Sequence, residues 1–176
     1  PYANSIIITE LDTLAKQGEM VTPATFSAFE SKLLTDVFHK FIDGYAFNEL
    51  GSVDLKIACR YIALVRLFDS TMLREILQAC AGEPFKSWTQ EDFGDLLLQL
   101  KKTQLLVWEK GYALDSGLRH IIQKYFMVSA QKTFIDANKA ALGVYEDWLG
   151  RPVDNRSLFV VEELYHNAAL LQVGEQ

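Results

Sequence analysis

Residues 107–126 read VWEKGYALDSGLRHIIQKYF. Val107-Trp108 and Tyr112-Ala113-Leu114 are short runs of aromatic, β-branched and apolar residues, and Glu109-Lys110-Gly111 between them predicts the turn of a small hairpin. Asp115 and Ser116 then offer N-cap oxygens to a helix whose inner face is Leu118, Ile121, Ile122, Tyr125 and Phe126. Two strands are marginal in water by themselves, so this hairpin needs helices to lean on.

Three helices precede it. Ser52 is placed to cap one carrying Ile57, Tyr61, Leu64, Val65 and Phe68. Asp69-Ser70 caps a second, with Leu73, Ile76, Leu77 and Cys80 inward. After AGEPFKSW, Thr89 and Asp92 form a capping box, Asp replacing the usual Glu or Gln, and Phe93, Leu96, Leu97 and Leu100 line the third helix. Three helices followed by a two-stranded hairpin is the order of a winged helix, a helix-turn-helix variant whose wing packs on the helical core.

Outside this unit the chain also reads as helical. Ile7, Leu11, Leu14 and Ala15 mark a helix from Tyr2 to Gln17, stopped by Gly18. Thr22-Pro23 opens another, with Phe26, Phe29, Leu33, Val37, Phe38, Phe41 and Ile42 inward, running to about Asp43. Toward the C-terminus, Phe134, Leu142, Tyr145, Trp148 and Leu149 share one helix, and Leu158, Val161, Leu164, Tyr165 and Ala168 another. Gly150-Arg151-Pro152 separates the two, and Asp154 or Asn155 caps the last. The expected fold is therefore mainly α: an N-terminal helical segment over 1–51, a winged helix over 52–128, and a C-terminal helical extension over 129–176.

The 176 residues, 49% hydrophobic and 12% aromatic, suit one domain, or a domain plus a fragment of its neighbour, with a substantial core that needs no disulfides. Cys59 and Cys80 sit in apolar helical patterns, as buried thiols of a reducing compartment do, which predicts a cytoplasmic protein. SIIIT, residues 5–9, is too short for a membrane span and lacks the basic flank of a signal peptide. The net charge is −6, spread evenly along the chain, and this argues against nucleic acid, whose binding draws mainly on Lys and Arg. The third helix of the winged unit opens with Glu91, Asp92 and Asp95, and Lys101 and Lys102 come only at its far end, so a DNA-reading face is disfavoured there too.

The phosphate-binding, dinucleotide-binding, serine-hydrolase and zinc motifs are absent. Glu163-Leu-Tyr-His166 has the E-x-x-H spacing of di-iron bundles, and Asp36-Val-Phe-His39 is a looser echo. Such spacings arise by chance in an acidic helical chain. We assign neither a metal nor a cofactor, and read Glu163 as a solvated face, His166 as a partly buried histidine and His120 as a surface group.

Three stretches carry a family likeness. ACRYIALVRLFDSTMLREIL resembles the helix pair that opens the winged helix of STAND-class signal-transduction ATPases, the class that includes NB-ARC proteins and MalT-like regulators. LLLQLKKTQLLVWEKGYALDSGLRHII resembles the third helix, wing and following junction of that class, and ANKAALGVYEDWL with VEELYHNAALL its lead into superhelical repeats. The resemblance runs from about residue 33 onward. It implies a non-catalytic regulatory module, part of a larger protein, that relays nucleotide state between an ATPase core and sensor domains of the same polypeptide. In many of those ATPases a histidine at the junction after the wing helps sense ADP; here the matching positions read Leu114, Asp115 and Ser116. A carboxylate at Asp115 repels a diphosphate unless a cation or an arginine intervenes, which argues against direct ADP sensing. Glu109, Lys110, Asp115 and Arg119 are the expected interdomain contact. The competing readings are a stand-alone winged-helix transcription regulator and a small metal-binding bundle around Glu163 and His166.

Overall fold

The structure, a computed structural model, describes residues 8, 12–18, 20, 22–37, 39, 50–103, 105–108 and 111–174. The chain divides into two units, Pro1–Glu49 and Leu50–Gln176. In the first, residues 12–17 are helical and Gly18 follows at φ 71°, the left-handed conformation that glycine adopts without a Cβ penalty at a helix end. Its N–H bonds the Ala15 carbonyl at 3.1 Å. Helix α1 (Pro23–Val37) starts on the expected proline. Of the side chains expected to face inward on these two helices, Leu14 is half-buried and Ala15 exposed, and the placement of the others is not described; of the expected continuation to Asp43, all but His39 lies outside the described residues.

The second unit opens with α2 (Val53–Ile62) and α3 (Ser70–Cys80). Ser52 Oγ accepts the Leu55 N–H at 3.1 Å, and Asp69 Oδ1 accepts that of Met72 at 2.8 Å. A short 3₁₀ turn at Phe85–Ser87 leads to α4 (Gln90–Lys102), where both bonds of the Thr89–Asp92 capping box are made. Strands β1 (Leu106–Trp108) and β2 (Tyr112–Leu114) follow as an antiparallel pair in the register Leu106 to Leu114, Val107 to Ala113 and Trp108 to Tyr112. Next come α5 (Ser116–Ser129), α6 (Gln131–Leu149) and α7 (Arg156–Gln172). The chain is thus mainly helical with one small antiparallel sheet.

Helix α2 stops at Ile62, six residues short of the expected Phe68. Leu64, Val65 and Phe68 are nonetheless buried, because the chain turns inward and then runs extended. Phe68 forms a bridge to Tyr112, each N–H donating to the other's carbonyl at 2.8 Å. This bridge fastens the hairpin to the helical body, and β2 packs on α2 and α5.

Helix α3 is central, packed against α2, α4 and α6 through Leu73, Ile76 and Leu77. Each such side chain contributes about 2 kcal/mol through burial. Phe85, Trp88 and Phe93 form an aromatic cluster at one end of α3 and α4, with Trp88 edge-on to Phe85 at 4.7 Å. Helix α6 packs along α7 and also on α3 and α5, so the C-terminal helices belong to the same compact unit as the hairpin.

The inner face of α7 differs from the expected one. Val161 and Leu164 are 39% and 63% exposed, whereas Phe159, Glu162, His166, Ala169 and Leu170 face inward. His166 is completely buried rather than partly so. Asn155 occupies the N-cap position of α7 in a left-handed conformation, φ 59°, but its side chain makes no capping bond. Its carbonyl accepts the Leu158 N–H at 2.8 Å instead. Among the described residues, no helix is long and apolar enough to cross a membrane.

Candidate functional site

Where the hairpin meets α5, a cleft of about 340 Å³ opens between Arg66, Leu67, Val107, Ala113, Leu114, Asp115, Ser116 and Arg119. Its walls follow from local rules. Asp115 Oδ1 caps α5 by accepting the Leu118 N–H at 3.0 Å, and the Asp115 N–H closes the hairpin base on the Leu105 carbonyl at 2.8 Å. One helical turn further on, Arg119 lies on the same side of α5 and its Nη1 donates to the Arg66 carbonyl at 3.3 Å.

Arg66 is held from behind. Its Nε donates to Glu162 Oε1 at 3.0 Å and its backbone N–H to Oε2 at 3.3 Å. Glu162 is fully buried while the Arg66 side chain is 38% exposed, so the carboxylate sits in the protein and the arginine that lines the cleft is partly open to solvent. Burial pushes the Glu162 carboxyl above its ordinary range, and the bonds to Arg66 pull against that rise. The Arg66 guanidinium also lies 6.0 Å from the Tyr165 ring centre. Tyr165 in turn takes a 2.5 Å bond from Gln123 Nε2, which also donates to the Ala63 carbonyl at 2.7 Å.

Deeper between α6 and α7, His166 Nδ1 lies 2.8 Å from Asn138 Oδ1. Asn138 Nδ2 donates to the Phe134 carbonyl at 2.8 Å, which turns its oxygen to the imidazole and assigns the proton to Nδ1. Tyr145 stacks on the His166 ring at 5.5 Å. Tyr145 Oη and His166 Nε2 are buried without a hydrogen-bond partner among the described residues. Burial lowers the His166 pKa to about 4 and raises that of Tyr145, the latter further through the charge of Glu162. It also pushes the thiols of Cys59 and Cys80 up to about 12. None of these groups is tuned for nucleophilic or acid–base work near neutral pH.

Of the residues expected at the interdomain contact, Asp115 and Arg119 line the cleft, and Glu109 and Lys110 lie outside the described residues. Glu163 is half-buried rather than on a solvated face, and His166 Nδ1 faces Asn138. Among the described residues no three His, Cys, Asp or Glu side chains gather as a metal site would. Asp36 and His39 belong to the N-terminal unit, and His120 is exposed. Sequence reasoning missed Arg66 and Glu162. A cation inside the apolar run ALVRLF was the available signal for the first, and a carboxylate one position from the expected apolar stripe for the second.

At the exposed start of α4, Glu91, Asp92 and Asp95 face solvent, and Lys101 at its end places Nζ 4.7 Å over the Tyr112 ring. No protein-family model, no curated protein and no solved structure matches this chain.

Proposed function

We infer that residues 52–128 act as a winged helix in a non-catalytic regulatory module of a STAND-like signal-transduction ATPase, relaying nucleotide state by docking between domains of one larger polypeptide. The helix order α2, α3, α4 and the Phe68–Tyr112 bridge that ties the hairpin to the helices support the winged-helix part of this reading. The observation that carries the docking part is the cleft itself: Asp115 and Arg119 share it with Arg66, whose guanidinium is anchored by a buried carboxylate. Anchored charges of both signs at an open surface suit a contact that forms in one conformational state and releases in another. Swinging such a contact from 1:99 to 99:1 requires about 5.5 kcal/mol of differential binding, within reach of an interdomain interface.

The acidic start of α4 weighs against DNA as the partner. This reading places the chain in the cytoplasm, with Cys59 and Cys80 as reduced thiols. The test is amide hydrogen exchange in the native polypeptide with ADP and with ATP. Slower exchange over residues 114–119 in one nucleotide state is the expected result; identical exchange in both contradicts docking there.

A further inference from the structure

We propose that the cleft at the base of the hairpin is a receptor for a single carboxylate side chain, presented by an acidic peptide segment of the docking partner. The inference rests on the docking role of this cleft and adds the chemistry of what docks. Arg66 engages only Nε with Glu162, and among the described residues its two terminal nitrogens have no hydrogen-bond acceptor. Among the described residues Arg119 engages only Nη1 of its guanidinium, with the Arg66 carbonyl. Two arginines, each with guanidinium nitrogens that have no hydrogen-bond acceptor among the described residues, thus belong to the lining of the same 340 Å³ cleft. A guanidinium with free N–H groups is the fork that receives a planar carboxylate.

The choice of a carboxylate over a phosphate follows from the opposite sign of Asp115 on the same wall. Its Oδ1 is occupied by the helix cap, and Oδ2 has no donor among the described residues. A dianion bound by the arginines would set its second charge against this oxygen, whereas a peptide offers it a backbone N–H. Leu67, Val107 and Ala113 also line the cleft, and such apolar side chains suit the methylene stem of a glutamate.

The test is a nuclear magnetic resonance titration of the full 176-residue chain, following the side-chain Nε–Hε signals of Arg66 and Arg119 and the backbone amides of residues 114–119. The probes are acetyl-Gly-Glu-Gly-amide, its glutamine counterpart and inorganic phosphate. The glutamyl peptide should bind at least about fivefold more tightly than the glutaminyl one, and Arg119→Gln should remove that difference. Asp115→Asn, which keeps a capping oxygen, should strengthen phosphate binding at least about threefold. Equal binding of the two peptides, tighter binding of phosphate than of the glutamyl peptide, or an Asp115→Asn variant that leaves phosphate unchanged would overturn the proposal. Nucleotide-dependent protection of residues 114–119 in the native polypeptide with no peptide discrimination would leave docking standing and remove the carboxylate. The reverse pattern would remove the relay and keep the receptor.

Discussion

Arg66 and Glu162 stand 96 positions apart in the chain and are joined by two hydrogen bonds, one from the guanidinium and one from the backbone N–H, to the two oxygens of a fully buried carboxylate. The pair links the segment after α2 to the inner face of α7. It therefore ties the cleft to the C-terminal helices. Removing the arginine strands a buried charge, which costs more than neutralising the acid in place. Arg66→Ala should lower stability in urea by about 2–3 kcal/mol, a figure reduced for the partial exposure of the arginine, and Glu162→Gln by clearly less. Equal losses would show that the carboxylate is not held by the guanidinium.

His166 gives stability a pH dependence of known sign. Its folded-state pKa of about 4 lies below the ordinary 6.5, so the stability contributed by the neutral ring is complete above 6.5 and is lost as pH falls toward 4. Glu162 shifts upward, so it acts in the opposite direction: its contribution is present in acid and lost as pH rises through its folded value. Tyr145 and Tyr165, the other titratable rings against His166, remain neutral across this range. Denaturation curves between pH 7 and pH 4 should show a loss of up to about 3 kcal/mol that His166→Gln largely abolishes. An unchanged slope in that variant would place the acid sensitivity elsewhere.

How much of this was legible in the sequence depended on whether the signal was local. Ser52, Asp69, Thr89 and Asp115 all cap as read, because each cap needs only an oxygen followed by amides two or three residues on. Asp115 and Arg119 were legible as neighbours for the same reason, being one turn apart. The inner face of α7 was not. Its buried positions include Glu162, which an apolar-stripe rule assigns to solvent and which Arg66 holds by two hydrogen bonds, and His166, expected only partly buried, whose Nδ1 pairs with Asn138. Phe68 was read as helical because an apolar run around a buried turn carries no period, and only Tyr112 on a distant hairpin makes it extended.

The cap at Asp115 has a graded consequence. Asp115→Ala removes the acceptor for the Leu118 N–H and should cost about 1 kcal/mol, whereas Asp115→Asn should fall within a few tenths of the parent. Thermal or urea denaturation of the two variants distinguishes a capping residue from one whose charge alone matters, for which both substitutions would cost alike.

The two thiols should be silent in the native protein. Cys59 is fully buried, and Cys80, half-buried, donates to the Ala137 carbonyl at 3.4 Å; burial raises both to about 12, leaving almost no thiolate at neutral pH. Reaction with a disulfide reagent should proceed only as fast as the protein opens and should accelerate with urea in step with unfolding. Rapid labelling of either cysteine in the folded state would contradict the packing of α2 or α3.

The central claim is that this chain works as a relay inside a larger polypeptide, and the mass of the native product tests it most directly. An antibody raised to this 20.0 kDa chain, used on extracts of the source cells, should detect a product several times heavier. A native product of 20 kDa would contradict the relay and leave a small stand-alone binding protein in its place.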